Sequence, residues 1–345
     1  ELLKRIPDNS VDLIFADPPY NLQLNGDLFR PDTSKVDAVD DEWDKFDSFA
    51  EYDRFTNQWL AECHRVLKPT GSIWVIGSYH NIFRVGTALQ NIGFWILNDI
   101  IWVKTNPMPN FKGTRFNNAH ETLIWATKSK SSKFTFHYHS MKVMNDDLQM
   151  RSDWVIPICQ GNERIKVNGM KAHSTQKPEE LLYRVLISSS NPGDIVLDPF
   201  SGSGTTAAVA KRLGRNYIAF ERDEFYISVA RERLEKITTV QKEMTGYPIE
   251  NRIPKVPFNS LIVKDYVRVG ERLYSKDGTI SAVVNADGTL VSNGFVGSIH
   301  KVSAHILKKS NNNGWSFWYV KRDKVLISID ALRYEYEEKY NKSVI

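Results

Sequence analysis

The stretch Val11-Asp12-Leu13-Ile14-Phe15-Ala16, followed at once by Asp17-Pro18-Pro19-Tyr20, constrains the fold of this chain more than any other. Val11 to Ala16 is short, apolar and rich in strand formers, which is the pattern of a buried strand. Neither Pro18 nor Pro19 has an N–H, and both fix φ, so no sheet ladder continues through them. The chain must leave the sheet at Asp17 with a stiff backbone. A carboxylate, a free carbonyl and the Tyr20 ring are thereby held together at a strand's carboxyl end. Such a turn can be no more than a strand–loop junction with an exposed acid. It can also be a site for a planar amine. Asp17 and the Pro18 carbonyl would accept hydrogen bonds from an NH2 group, and Tyr20 would stack on the ring that carries it.

A second short buried strand, Ile195-Val196-Leu197-Asp198, again ends on an aspartate. Pro199-Phe200-Ser201-Gly202-Ser203-Gly204-Thr205-Thr206 follows, then a helix over Ala207 to Leu213. The next strand, Asn216 to Phe220, closes on Glu221. Glycines here let the backbone approach a ligand closely, and Glu221 is spaced to accept both hydroxyls of a ribose. The Gly-Lys-Ser/Thr of a P-loop and the third glycine of the dinucleotide fingerprint are both missing. A nucleoside without a pyrophosphate fits better, S-adenosylmethionine (SAM) above all; a purely structural glycine turn is the alternative. In a doubly wound sheet, ligands sit beyond the carboxyl ends of the strands where strand order reverses. If the two aspartate-ended strands are central neighbours, a methyl donor lies beside a planar amine acceptor. That is the arrangement of a methyltransferase.

The surrounding chain alternates in the same sense. An amphipathic helix over Phe49 to Leu67 is stopped by Lys68-Pro69-Thr70-Gly71. Ser72 to Ile76 reads as strand, Asn81 to Asn91 as helix, and Phe94 to Lys104 and Glu121 to Thr127 as strands. The expected class is α/β, a doubly wound, Rossmann-like sheet. Residues 128–170 read as a recognition insertion. His137, Tyr138 and His139 within it would point to alternate faces of a strand, so no metal site is expected. A helix over Gln176 to Leu186 carries Pro178 in its first turn. The pattern changes near Gln241. Residues 1–240 form the expected catalytic domain, and 241–258, with Pro248, Pro254 and Pro257, a linker. Residues 259–345 form a small β-rich domain with hairpin turns at Asp277-Gly278 and Asp287-Gly288 and a charged helix over Asp330 to Tyr340.

Composition narrows the function classes. At 345 residues, 41% hydrophobic and 25% charged, the chain can bury a large core as an ordinary globular protein. No apolar run reaches the ~18–20 residues needed to cross a bilayer, and no signal-peptide pattern is present, so the expected location is cytoplasmic. Cys63 and Cys159 are the only cysteines, which excludes a disulfide framework and a four-cysteine zinc site. A net charge of +4 permits a nucleic-acid partner without demonstrating one. Glu1-Leu2-Leu3-Lys4-Arg5-Ile6 reads as the end of a helix already under way, with a strand and turn expected upstream.

Taken together, these motifs resemble the amino-methyltransferase family of DNA enzymes. Asp17-Pro18-Pro19-Tyr20 is similar to its catalytic motif and Asp198 to Thr206 to its SAM motif. His173-Ser174-Thr175-Gln176-Lys177-Pro178 is similar to the segment that packs on the methionine end of SAM. Catalytic motif first and SAM motif later is the permuted order of the β subclass. A closer resemblance, nearly end to end, is to the cell-cycle-regulated adenine methyltransferases that modify GANTC. It rests on Asn21-Leu22-Gln23-Leu24, Gly77 to Arg84, Asn106 to Phe116, Gly297 to Lys301 and Gly314-Trp315.

The resemblance implies N6 methylation of an adenine flipped from double-stranded DNA, by a homodimer with SAM and no metal, in a nucleoid-associated bacterial enzyme. It implies catalytic roles for Asp17, Pro18, Pro19 and Tyr20. It implies SAM contacts for His173, Thr175, Gln176, Lys177, Asp198, Pro199, Phe200, Gly202, Gly204, Thr205, Thr206 and Glu221. The family's Gly-Asp turn, which contacts the SAM adenine, would lie just before Glu1. For DNA reading the candidates are Arg30, Trp43, Asn110, Arg115, Ser298, Asn313 and Trp315. Arginine suits guanine and asparagine suits adenine in bidentate pairs, and a tryptophan can stack on or wedge an unpaired base; Trp315 and Trp318 can equally be core of the small domain, and Arg30 a phosphate contact. Two rivals stay open: an N4-cytosine or RNA amine methyltransferase on the same fold, and a DNA-binding regulator with an inactive methyltransferase fold.

Overall fold

A computed structural model describes residues 1–22, 42–110, 113–146, 148–173, 175–239, 256–323 and 325–340. The chain divides into two compact units, Glu1–Ile249 and Glu250–Ile345.

The first unit is built on a seven-stranded sheet. Its strands are β1 (Val11–Ala16), β2 (Leu67–Gly77), β3 (Trp95–Lys104), β4 (His120–Thr127), β5 (Asp153–Ile156), β8 (Ile195–Asp198) and β9 (Asn216–Ala219), in the order β5-β3-β4-β2-β1-β8-β9. β2, β1, β8 and β9 run parallel; β4 is antiparallel to both of its neighbours. After β1 the chain builds outward through β2. It later returns to add β8 on the other flank of β1. The β1–β8 boundary is therefore the switch point, where an α/β sheet opens a crevice.

β1 is apolar on both faces because helices cover both faces. Ile14 and Ala16 pack with α1 (Phe49–Val66) and α2 (Ile82–Ile92) through Leu60, Cys63, Val85 and Leu89. Leu13 and Phe15 pack on the other side with α4 (Glu179–Ser189) and α5 (Thr205–Arg212) through Leu182, Val185, Leu186 and Val209. Asp12, the one polar residue of the strand, accepts from Lys68 Nζ at 2.7 Å and from the Ile195 N–H at 2.9 Å. It thereby ties both neighbouring strands to β1. α6 (Glu224–Glu235) follows β9.

The structure departs from the sequence expectations at several points. The helix stops before Lys68 as expected, but Lys68 to Gly71 is not a loop: it belongs to β2, and the excess residues are absorbed by a register shift opposite Val11 and Leu13. Pro69 cannot donate to a ladder, which accounts for the bulge. His137 to His139 is not strand: α3 spans Tyr138–Val143. Residues 128–170 are not wholly an insertion, since β5 extends the main sheet parallel to β3. Trp154 and Ile156 enter the core, with the Trp154 ring 5.8 Å from Trp74. The helix expected from Gln176 begins at Glu179 with Pro178 as N-cap. A residue before proline is pushed out of the helical region, which leaves Lys177 free of the helix. A small hairpin, β6 (Lys166–Val167) and β7 (Met170–Lys171), precedes this segment.

The second unit holds an antiparallel six-stranded sheet in the order β13-β12-β11-β10-β14-β15. Its strands are β10 (Arg272–Tyr274), β11 (Ser281–Val284), β12 (Leu290–Ser292), β13 (Phe295–Gly297), β14 (Tyr319–Arg322) and β15 (Val325–Ser328). Both aspartate–glycine turns form, with the Asp277 and Asp287 carboxylates accepting from the Thr279 and Thr289 N–H groups. Helices α7 (Phe258–Val263), α8 (Ile299–Ile306), α9 (Gly314–Phe317) and α10 (Ile329–Tyr340) complete the unit, and Trp318 is wholly buried within it. Gly314 is required by close approach: a Cβ there would lie 2.4 Å from the Ile299 carbonyl.

Candidate active site

The register Ile14↔Leu197 sets Asp198 level with Phe15, so the two aspartate turns leave adjacent parallel strands at the same edge. They open on one cavity of about 760 Å³, lined by Asp17 to Tyr20, by the Asp198–Ser203 turn and by His173, Thr175, Gln176 and Lys177. That volume falls in the range of small-molecule and cofactor sites.

The Asp17-Pro18-Pro19-Tyr20 turn is held from behind. The Pro19 carbonyl accepts the Tyr52 hydroxyl at 2.8 Å, and Asn81 Nδ2 donates to that hydroxyl at 3.1 Å. Asn81 is the N-cap of α2 but makes no cap bond; its Oδ1 accepts the Ser78 N–H at 3.0 Å. Asp44 accepts the N–H groups of Tyr20, Asn21 and Leu22 at 2.5, 2.8 and 2.9 Å. The backbone leaving the turn is thus gripped on both sides. Burial pushes the Tyr52 phenol up to about 12, so it remains a donor. Tyr52→Phe is expected to cost about 1 kcal/mol of turn order. It should slow methyl transfer about fivefold with little change in cofactor affinity, as single-turnover kinetics would show.

In front of the turn lies a buried charged cluster. Lys177 Nζ is 2.8 Å from Asp17 Oδ2 and 3.9 Å from Glu121 Oε2. Glu121 also accepts the Tyr20 hydroxyl at 2.9 Å and pairs with Lys104 at 2.7 Å. Burial pushes the Asp17 carboxyl up, and Lys177 only partly pulls it back. Burial acts on Glu121 in the same direction, but Lys177 and Lys104 more than offset it and hold that carboxyl below the usual range. Burial and the two carboxylates keep the Tyr20 phenol protonated.

On the other wall, Gly202 and Gly204 take φ +50 and +76. A Cβ at Gly202 would lie 3.0 Å from His173 Nε2, and one at Gly204 would lie 2.9 Å from Ala230 Cβ. His173 sits between Tyr226 and Trp43, at centroid distances of 4.5 and 6.4 Å. Burial, then Lys177 and Arg164, bring its imidazole down to about 4, so it is neutral. Glu221 braces the glycine turn, accepting the Gly202 N–H at 2.8 Å and the Arg222 and Asp223 N–H groups at 2.8 and 3.0 Å. Phe200 packs edge-on against Trp59 at 5.2 Å. Thr205 accepts from Arg233 at 3.0 Å.

Asp198 accepts the Phe200 N–H at 2.9 Å, and burial pushes its carboxyl up to about 7 against the opposing pull of Thr206. It changes charge near neutrality. An ionised Asp198 attracts a cationic ligand, and a protonated one does not. Affinity for cationic SAM should therefore fall as pH drops from 8 to 6, by up to about tenfold. Asp198→Asn should flatten that dependence in calorimetric titrations.

The expected residues are thus brought together with some changes of role. Asp17 to Tyr20, His173, Thr175, Asp198 to Phe200, Gly202, Thr205, Thr206 and Glu221 all line the cavity. Gly204 instead forms the turn's close contact with α6. Gln176 lines the cavity, but its side chain braces the wall, accepting the Ile165 N–H at 3.0 Å and donating to the Glu163 carbonyl at 2.9 Å. Lys177 directs its ammonium to Asp17.

Among the DNA-reading candidates, Trp43 lines this cavity beside His173 and is placed to meet its contents. Trp315 is buried under Phe258 and Arg333 in the second unit, so it cannot stack on a base without leaving that core. Ser298 caps α8 and Asn313 caps α9, while both stay exposed. Arg115 is exposed, its guanidinium 5.8 Å from the Tyr79 ring, and Asn110 is half-buried. Arg30 lies outside the described residues. Sequence reasoning missed Glu121, Lys104, Asp44, Tyr52 and Asn81. The available signal was charge within apolar strands: Glu121 and Trp102 are partners across β4 and β3, two residues from Lys104.

A family model described as DNA methylase matches residues 11–232, a span that holds both aspartate turns and every strand of the large sheet. The chain belongs to the DNA methylase family. A second model, described as Restriction Enzyme Adenine Methylase Associated, matches residues 238–342 of this methylase. The type II methyltransferase M.HinfI of Haemophilus influenzae is 55% identical over 337 residues, 97% of this chain and 94% of that one. The type II methyltransferase M2.LlaDCHI of Lactococcus lactis subsp. cremoris is 43% identical over 240 residues, 69% of this chain and 87% of its own.

Among solved structures, the M1.HpyAVI–SAM complex is similar with a TM-score of 0.50 and 28% identity, covering 68% of this methylase and 91% of that chain. PvuII DNA methyltransferase (cytosine-N4-specific) superposes with a TM-score of 0.54 at 22% identity, covering 71% of this methylase and 86% of that chain, which shows a shared fold. No described helix is long and apolar enough to cross a membrane. Among the described residues no cluster of histidine, cysteine and acidic side chains could hold a metal ion.

Proposed function

We propose that this methylase transfers a methyl group from SAM to N6 of an adenine displaced from double-stranded DNA, with GANTC as its site and a homodimer as its working form. The observation that carries the reading is the pairing of the two turns on adjacent strands, a carboxylate-and-carbonyl amine site and a glycine turn sharing one cavity. The residues present fit SAM. The sequence has no Gly-Lys-Ser/Thr to hold a pyrophosphate, the glycine turn leaves no room for a side chain, and Asp198 can meet a cation. His173, Trp43, Phe200 and Glu221 would hold it. When bound, SAM would supply an electrophilic methyl carried on a sulfonium leaving group.

The protein's own groups do the rest. An exocyclic amine is a weak nucleophile because its lone pair is delocalised into the ring. Asp17 and the Pro18 carbonyl, accepting its two N–H groups, favour pyramidal nitrogen and stabilise the positive charge that develops there. Asp17 takes the proton that leaves as the N–H pair returns to nitrogen. Holding amine and methyl at one site supplies much of the remaining rate. The target base must leave the duplex to reach this depth.

Adenine is favoured by the aspartate at position 17, by the adenine-methylase-associated match of the second unit, and by the likeness to GANTC-modifying enzymes. The fold itself is neutral, since it is shared with a cytosine-N4 enzyme. Incorporation of labelled methyl from SAM into GANTC duplexes, compared with scrambled duplexes, tests the reading. Selective labelling supports it; equal labelling of both, or none, contradicts it.

A further inference from the structure

Lys177 stands where the target amine would need to bind. Its ammonium donates to Asp17 Oδ2 at 2.8 Å, and it is 9% exposed at the side-chain level. The second carboxylate, Glu121, lies 3.9 Å from the same nitrogen. Glu121 is held in place by Lys104 and by the Tyr20 hydroxyl. The backbone on either side of Lys177 is fixed. Gln176 is tied to Ile165 and Glu163, and Pro178 opens α4. Only the flexible arm can move, and a displacement of about 1 Å would exchange one carboxylate for the other.

We propose that Lys177 is a positioning residue of methyl transfer, holding Asp17 ionised and aimed while the amine site is empty and passing to Glu121 when the target amine takes its place on Asp17. The inference rests on the reading of Asp17 as the amine acceptor. An ammonium is the natural stand-in for an amine donor, because both offer N–H to the same carboxylate oxygen. The cluster also balances: two carboxylates, Asp17 and Glu121, face two ammoniums, Lys177 and Lys104. Exchange of Lys177 between them therefore needs no change of net charge in the cluster, and Asp17 trades the ammonium for the N–H of the amine, so its buried oxygen keeps a hydrogen-bond donor. Glu121 is the stronger resting place once Asp17 is occupied. Lys177 and Lys104 hold its carboxyl below the usual range, whereas burial raises that of Asp17.

The groups that face Asp17 are Lys177 from the segment before α4, Glu121 from β4, Tyr20 from its own turn, and Asp198 from β8. Lys104 stands behind Glu121, Arg164 acts on Lys177, and Lys177 in turn helps to keep His173 neutral. Removal of Lys177 takes away the principal group that lowers Asp17, while Glu121 and Asp198 still oppose its ionisation.

The test is the pH dependence of single-turnover methyl transfer by full-length protein, with SAM affinity measured by calorimetry at each pH. In Lys177→Met the acidic limb should move up by at least about one pH unit, a tenfold loss one unit below the wild-type limb. SAM affinity should stay within about threefold of wild type. Lys177→Arg should restore the limb to the wild-type position. A wild-type limb in a folded, SAM-binding Lys177→Met protein overturns the proposal. If Lys177→Met fails to fold, Glu121→Gln decides. It removes both the exchange partner and a neighbouring negative charge, so the rate should fall at least about tenfold while the limb moves down; an unchanged rate and limb overturn the proposal. Failure of the wild-type protein to incorporate methyl would refute the amine-acceptor reading instead, a separately visible result.

Discussion

Replacing Asp17 by alanine is expected to slow methyl transfer about a thousandfold while leaving SAM affinity within about threefold of wild type. Asp17 is the acidic member of the β1 turn, and that turn is gripped through the Pro19 carbonyl and the Tyr20 to Leu22 N–H groups rather than through the carboxylate. Loss of the side chain therefore leaves the turn in place. Lys177 keeps Glu121 within 3.9 Å, so its charge retains a neighbour. Single-turnover transfer and calorimetric SAM titration separate the two effects. A variant with wild-type turnover would remove Asp17 from the mechanism. A variant that loses both turnover and SAM binding would show that Asp17 serves the cofactor wall as well.

The complementary substitution, Gly202→Val, should do the reverse: SAM affinity falls about a hundredfold while the protein stays folded. Gly202 has φ +50, and a Cβ there would meet His173 Nε2 at 3.0 Å. A β-branched residue is strained in that conformation by about 1–2 kcal/mol, and its methyls would enter the volume meant for the ligand. Each 1.4 kcal/mol is worth about tenfold in affinity. At saturating SAM, the surviving transfer rate should recover toward wild type, because the Asp17 turn is untouched. A Gly202→Val protein that binds SAM normally would show that the glycine turn is structural only.

Much of this arrangement was legible in the sequence because it depends on short-range chemistry. Two prolines that cannot join a ladder must end β1 at Asp17, and glycines flanked by a strand and a helix must make a turn that a side chain would close. The adjacency of β1 and β8 could be expected as the switch point of a doubly wound sheet. Less local features were not legible. Lys104 and Glu121 meet only because β3 and β4 pair antiparallel, and Tyr52 reaches Pro19 only because α1 packs across β1. The role of Lys177 was hidden by its motif, since nothing in His173 to Pro178 says that the ammonium turns toward a carboxylate at residue 17. Trp315 is the opposite case, where the sequence leaves a base contact and small-domain core both open. A tryptophan beside a glycine in a polar loop looks available to a base, yet Gly314 is small because Ile299 presses against it, and the neighbouring ring is core.

The most direct test of the central claim is identification of the methylated nucleoside. Duplex DNA containing GANTC sites would be incubated with the full-length protein and SAM, digested to nucleosides and resolved by mass spectrometry. N6-methyldeoxyadenosine, formed by the wild-type protein and not by Asp17→Ala, is the expected product. N4-methyldeoxycytidine, or N6-methyldeoxyadenosine formed equally by Asp17→Ala, would contradict the account.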